Sequence, residues 1–254
     1  MKKYTIFTYN IGGYEQFHEV ENPSEICEYI YVTDDKSITS STWNVIYVEN
    51  KHPEDNFDLC YRIRYVDMWK YVNTEVVIRI DGCVRIVGDT DVLYQRFIDG
   101  GYDICLQIHP QRNTISSEAS MWEVIKHYPK SQNKKVLGFM EGCGYDTNKY
   151  KGLYQFNFQM QRRCKMCEDF NRLTYALIKH FSLDGKLIDS NDQLLGAFVL
   201  HKFFDDSKIM FVEPTICGGK FFQWHYHGGG AEIKCNKMSG PKYAFNKEIR
   251  TEEF

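Results

Sequence analysis

A chain of 254 residues with 43% hydrophobic and 26% charged residues is long enough for one large domain or two small ones around a real core. Its formal charge of -3, without a dense Lys/Arg block, argues against nucleic acid as a partner. No run approaches the length of a membrane-spanning helix. The first ten residues carry Lys2 and Lys3 but no sustained apolar stretch of the signal-peptide kind, so a cytoplasmic protein is expected.

Residues 4–9 read as a first strand opening into Asn10-Ile11-Gly12-Gly13-Tyr14, where paired glycines let the backbone approach a ligand. The loop is not GxGxxG, and no dinucleotide fingerprint follows. Residues 27–33 form a second strand that runs into Asp34 and Asp35, and residues 43–48 a third. Leu59, Ile63, Val66 and Trp69 recur at helical spacing, which predicts an amphipathic helix over about 58–71 carrying Arg62 and Arg64. On a solvated face Arg64 pairs with Asp67 across one turn.

Residues 75–86 are rich in valine and isoleucine, as suits a strand covered on both faces, and the apolar run stops at Asp81-Gly82. Ligands of open α/β sheets gather at the carboxyl ends of strands, which makes Asp81 a candidate site residue. Asp-Gly is equally a turn pair. A short helix over 90–97 and a strand over 102–108 follow, the latter delivering His109 and Arg112. Met121, Trp122, Ile125 and Tyr128 mark a helix that begins near Glu118, and residues 138–152, punctuated by glycine, read as loop. A strand over 153–158 places Gln155 and Asn157 on one face by alternation. Phe170, Leu173, Thr174, Leu177 and Phe181 give another helix, residues 190–193 open one more, and residues 208–213 form the last clear strand.

Strands alternating with helices in the first half predict a mostly parallel central sheet flanked by helices, with an irregular C-terminal segment. The expected organisation is one domain over 1–254, with a nucleotide-binding half over about 1–110 and an acceptor half over about 111–254. The nine cysteines are an odd number, and Cys164-Lys165-Met166-Cys167 is the one close pair. A single CxxC falls short of a four-ligand zinc site, so the thiols read as reduced.

Asn10, Asp34, Asp35, Asp81, His109 and Arg112 all follow strand ends and can converge on one rim, a combination suited to a phosphorylated ligand with or without a divalent cation. Taken in order, the motifs resemble GT-A-fold glycosyltransferases, most closely the glycosyltransferase-like domain family of plant mucilage-related (MUCI/TOD-type) proteins and its bacterial relatives. The residues that carry the resemblance are 4–14, Tyr31 to Asp35, Trp43, the arginine helix, Arg79 to Gly82, His109 to Arg112 with Glu118, Gly152 to Tyr154, and Asn191 to Leu194.

The resemblance implies transfer of a sugar, from a UDP-sugar by preference, to a glycan or other hydroxyl acceptor. It assigns Thr8, Asn10, Asp34 or Asp35, Arg62, Arg64 and Arg79 to the nucleotide and diphosphate, and Asp192 and Gln193 to the reaction centre. His109, Arg112, Glu118, Gln155 and Asn157 are left for donor sugar or acceptor. Asp81 stands where such folds keep a DxD motif for Mn2+ or Mg2+, but here it is the only carboxylate of the triplet. His225 and His227, on alternate positions of an extended segment, are candidates to complete the shell. Plainer readings compete: Ser190 and Gln193 fit a capping box, and Arg112 with Glu118 fits a salt bridge. A metal-dependent hydrolase and a non-catalytic nucleotide-sugar-binding module are the rival functions.

Overall fold

A computed structural model describes residues 1–125, 129–148, 153–182, 191–224 and 251–252. The strands are β1 (Tyr4–Asn10), β2 (Cys27–Thr33), β3 (Asn44–Tyr47), β4 (Val76–Ile80), β5 (Val84–Ile86), β6 (Ile104–Ile108), β7 (Tyr154–Arg162), β8 (Ile209–Val212), β9 (Phe222–Trp224) and β10 (Thr251–Glu252). The helices are α1 (Asn56–Arg62), α2 (Met68–Tyr71), α3 (Thr90–Asp99), α4 (Ile115–Ile125), α5 (Lys130–Gly142), α6 (Lys165–His180) and α7 (Asn191–Phe203), and a π-helical segment, Ile63–Asp67, joins α1 to α2.

Eight strands form the main sheet in the order β10-β8-β6-β7-β4-β1-β2-β3, while β5 and β9 pair separately. Within the main sheet β7 runs antiparallel to β4 and β6, and the other pairings are parallel. The protein is therefore α/β with a mostly parallel sheet, as its apolar strands predict. Strands from both halves of the sequence interleave, since β7 separates β4 from β6. One departure lies in the first three strands. They follow one another with no helix between them, so strand-helix alternation begins only at α1.

The chain leaves β1 for β2 on one side, whereas β4 lies on the other side of β1. That reversal of strand order opens a crevice at the carboxyl ends of β1 and β4, the position where open α/β sheets take their ligands. Alternation in β1 and β4 builds a core on each face. Ile6, Ile78 and Ile80 pack with Phe158 on one side, and Phe7 and Val77 pack with Ile63 and Met68 on the other.

Two expectations fail for local reasons. Residues 138–152 do not form one loop, because α5 continues through Gly138. Val136 and Met140 anchor that helix in the core and Gly138 faces open space, so the glycine costs only about 1 kcal/mol of propensity. The helix over 58–71 is not regular either. A π-turn carries an extra residue, which rotates the face that follows it. Val66, expected in the apolar stripe, is 45% exposed, while Arg64, expected on the solvated face, is buried. Asp67 is held instead by Arg62 and Lys70.

Candidate functional site

Asp81 ends β4 as the sequence implies, and it serves as turn and site residue at once. Its carbonyl accepts from the Val84 N–H at 2.9 Å, closing the turn into β5. Its carboxylate lies 3.3 Å from Arg79 Nη1, 3.9 Å from Arg64 Nη1 and 3.5 Å from the Tyr9 hydroxyl. Arg64, brought inward by the π-turn, pairs with Asp192 at the start of α7, Nη1 to Oδ2 at 2.7 Å. The Tyr65 hydroxyl donates to the same Asp192 oxygen at 3.3 Å. Both guanidinium groups also donate to the Phe156 carbonyl on β7, and Arg79 Nη2 reaches Gln159 Oε1 at 3.1 Å.

The cluster thus alternates two cations with two carboxylates below the ends of β1, β4 and β7. Burial opposes the Arg64 charge, but Tyr65, Asp81 and Asp192 outweigh it and raise the guanidinium pKa well above its usual value. The Arg79 pKa is lowered, first by burial and then by the Arg64 charge beside it. Burial also pushes the Tyr9 hydroxyl far up, so Tyr9 is neutral and donates. Arg64 Nε, Gln159 Nε2 and both amide atoms of Asn157 are buried without a partner. These atoms give the surroundings of the ion network hydrogen-bonding capacity beyond the contacts it already makes.

Above the cluster lies a cavity of about 520 Å³ whose wall includes Asn10, Gly12, Glu15, Arg64, Asp81 and Gly82. The Asn10 amide shapes its floor by bonding both the N–H and the carbonyl of Glu15, at 3.1 and 2.6 Å. Asp34 braces the same loop from outside, accepting from the Gly12 N–H at 2.8 Å and from Asn50 at 3.0 Å. Gly12 has a φ of 73°, and a Cβ there would come within 2.2 Å of the Asn56 side chain, so this loop requires glycine. Tyr14 and Phe57 present exposed rings at the cavity wall.

Of the residues expected here, Asn10, Arg64 and Asp81 line the cavity, and Arg79, Asp192 and Asp34 support them. Gln193 is half-buried next to Asp192 on α7. The others fall elsewhere. Thr8 is turned to the opposite face, where it borders a small cavity of about 20 Å³ with Tyr31 and Trp43. Asp35 is exposed and caps its own turn through Ser37, which lowers its pKa. Arg62 is half exposed and tied to Asp67.

His109, Arg112 and Glu118 meet one another rather than the cavity. Arg112 and the Trp122 indole both donate to the fully buried Glu118. His109 Nδ1 accepts from the backbone N–H groups of Gln111 and Arg112, and its Nε2 lies 3.0 Å from Arg112 Nη2 and 3.8 Å from Glu118. The salt bridge weighed against an acceptor role for Arg112 is therefore formed. Gln155 accepts from Gln107 at 2.7 Å, and the register of β6 on β7 shifts between Leu106 and Gln107, opposite the stretch of β7 that holds Asn157. His225 and His227 lie outside the described residues.

Tyr9, Tyr14, Glu15, Phe57 and Tyr65 belong to the site and were not singled out from sequence. Aromatic residues are too common in this chain for a ring at a strand end to stand out. The signal that was available is their position, flanking the glycine loop and the arginine helix.

No protein-family model matches the chain, and no curated protein matches it. Among the described residues no helix is long and apolar enough to cross a membrane.

Proposed function

We propose that the chain is a glycosyltransferase with a GT-A-like core, moving a sugar from a nucleotide-sugar donor, with UDP preferred, to a hydroxyl of a glycan or similar acceptor. The observation that carries this reading is the cavity at the strand-order reversal, walled by a buried guanidinium and a partly exposed strand-end aspartate. The volume suits a nucleotide, and the ring of Tyr14 or Phe57 offers a stacking surface for the base. The eight-stranded order with a single antiparallel strand is compatible with a GT-A-like core.

The chemistry asked of the residues is charge stabilisation. As the glycosidic bond breaks, negative charge grows on the departing diphosphate, and Arg64 supplies a positive charge already fixed in place by Asp192. Asp192 is in this reading a positioning residue, because its carboxylate is committed to Arg64 and Tyr65. Gln193 follows it on α7 and is the side chain there left to approach the sugar.

For a divalent cation, the cavity wall offers the Asp81 and Glu15 carboxylates, with the Glu15 stem packed close to Gly82. Among the described residues no group of three or more His, Cys, Asp or Glu side chains is arranged to hold a metal ion. Mg2+ commonly uses one or two carboxylates plus substrate phosphates, so Asp81 with Glu15 fits such an ion and does not make a protein cage. The ion would add positive charge at the leaving diphosphate.

The engagement of Asp192 by Arg64 also favours a second reading, a nucleotide-sugar-binding module without turnover. A panel of UDP, GDP and their sugar conjugates, with Mn2+ or with EDTA, tests both by thermal shift. At a hundredfold excess over Kd a bound nucleotide stabilises by about 2.7 kcal/mol, and the gain should vanish in Asp81→Asn. Acceptor-dependent release of UDP separates transferase from module, and no shift with any nucleotide in the panel defeats both.

A further inference from the structure

At the opposite edge of the sheet from the cavity, β7 ends and α6 begins on Cys164, whose carbonyl accepts the Glu168 N–H at 3.0 Å. Cys164 is partly exposed, and Cys167, in the first turn of the same helix, is fully buried. Cys167 stands three residues on from Cys164, nearly one helical turn, and its Sγ donates to the Asp103 carbonyl at 3.0 Å, which anchors it against the start of β6. One thiol is therefore partly open to solvent and the other is buried nearly one turn further along the same helix.

We propose that Cys164 and Cys167 form a thiol–disulfide exchange site that takes low-molecular-weight disulfides, Cys164 acting as the attacking thiolate and Cys167 as the resolving thiol. The attacking thiol has the electrostatics for this. Its pKa is lowered to about 6, chiefly by the Cys167 thiol and further by the N–H groups of Cys167 and Met166 at the helix start. No strict side-chain capping bond forms there, so the N–H contribution is one of dipoles rather than of a closed cap. Cys167 shifts the other way, well above the usual thiol range, through its interaction with the Cys164 side chain and its burial. A CxxC at a helix start with one lowered and one raised thiol divides the two tasks between the two sulfurs.

The exchange balances. The Cys164 thiolate attacks one sulfur of RS–SR, forming a Cys164–S–S–R bond and expelling RS⁻. Cys167 then loses its proton and attacks the Cys164 sulfur, closing the intramolecular disulfide and expelling a second RS⁻, which takes up that proton. The protein loses two electrons and the small disulfide is reduced to two thiols. The site shares no residue with the nucleotide cavity, so its test is independent of the transferase reading.

The test uses the full reduced chain with oxidised glutathione, followed by blocking of free thiols and tryptic mapping. Cleavage after Lys165 separates the two cysteines, so the disulfide appears as the 164–165 and 166–172 peptides joined together and released by reductant. Cys167→Ser should trap glutathione on Cys164, and Cys164→Ser should abolish both products. Iodoacetamide labelling of Cys164 should be half-maximal near pH 6 and, at that pH, about tenfold faster than that of free glutathione. A mixed disulfide that persists on Cys164 in the unmutated chain overturns the proposal, and so does labelling of Cys164 no faster than of glutathione.

Discussion

Two clusters built from the same residue types stand at the same edge of the sheet, and they are put to different uses. At the end of β4, Arg64, Arg79, Asp81 and Asp192 form a network of which Asp81 keeps 29% of its side chain exposed toward solvent. At the end of β6, His109, Arg112, Glu118 and Trp122 form a network whose acid has no exposure at all. The first leaves polar atoms unmatched beneath a cavity, whereas in the second Glu118 receives Arg112 and Trp122 and closes on itself. Residue type alone does not separate the two clusters; the carboxylate of Asp81 opening on a cavity and that of Glu118 sealed from it do.

The sharpest way to break this comparison is to remove one arginine from each cluster. Arg64→Met takes its guanidinium partner from the buried Asp192, and losing one partner of such a pair costs about 3–5 kcal/mol. Arg112→Met should cost less, about 2–4 kcal/mol, because Arg112 is itself more exposed than Arg64. Urea unfolding reads both, and the nucleotide panel then divides them. Arg64→Met should abolish the nucleotide-dependent shift at temperatures where it is folded, and Arg112→Met should leave that shift intact. Equal losses of nucleotide binding would show that the β6 cluster belongs to the cavity after all.

A second distinction is in pH. Burial first, and then the Arg112 charge, lower the His109 pKa from 6.5 to about 3, so the folded protein keeps this ring neutral. Between about pH 3 and 6.5 the unfolded chain binds the proton that the folded chain refuses, so the contribution of His109 to stability falls as pH drops through that window. The slope for one such group approaches about 1.4 kcal/mol per pH unit. In His109→Asn, whose side-chain oxygen can still accept the Gln111 and Arg112 N–H groups, the stability–pH curve should flatten over that range. An unchanged curve would mean that His109 is protonated in the folded state and that the β6 cluster is less sealed than its geometry implies.

How far these features could be read from the sequence follows the range of the interactions. The strands were legible because alternation and valine-isoleucine runs are local, and Asp81 was legible because an acid ending such a run is local too. The inward turn of Arg64 was not, since a π-helical segment keeps the composition of an ordinary helix while changing which face each residue takes. The partnership of Arg64 with Asp192 spans half of the chain, and only the packing of α7 near the π-turn reveals it. Thr8, two residues before Asn10 on β1, borders a different and smaller cavity, and the register shift of β6 on β7 falls opposite Asn157, neither of which alternation alone foretells. His109, Arg112 and Glu118 were read as site residues because a strand end brought them to the correct edge of the sheet. Their closure on one another depends on α4, whose Trp122 completes the shell of Glu118.

The smallest predicted effect concerns the neighbour that sequence could not tell apart from Arg64. Arg62 lies two positions earlier on the same helical stretch, but the π-turn leaves it outside, half exposed and bonded to Asp67 at 3.0 Å. Asp67 keeps Lys70 as a second partner, and an ion pair with one exposed member is worth less than about 1 kcal/mol. Arg62→Ala should therefore shift urea stability by about 0.5 kcal/mol or less and leave the nucleotide-dependent shift untouched. The informative control is Arg62→Ala at high salt, where screening should remove most of the remaining difference from the unmutated chain. A loss of nucleotide binding in this variant would mean that the diphosphate approaches from the solvent side of α1 rather than from the cavity, and the role given to the π-turn would then fall.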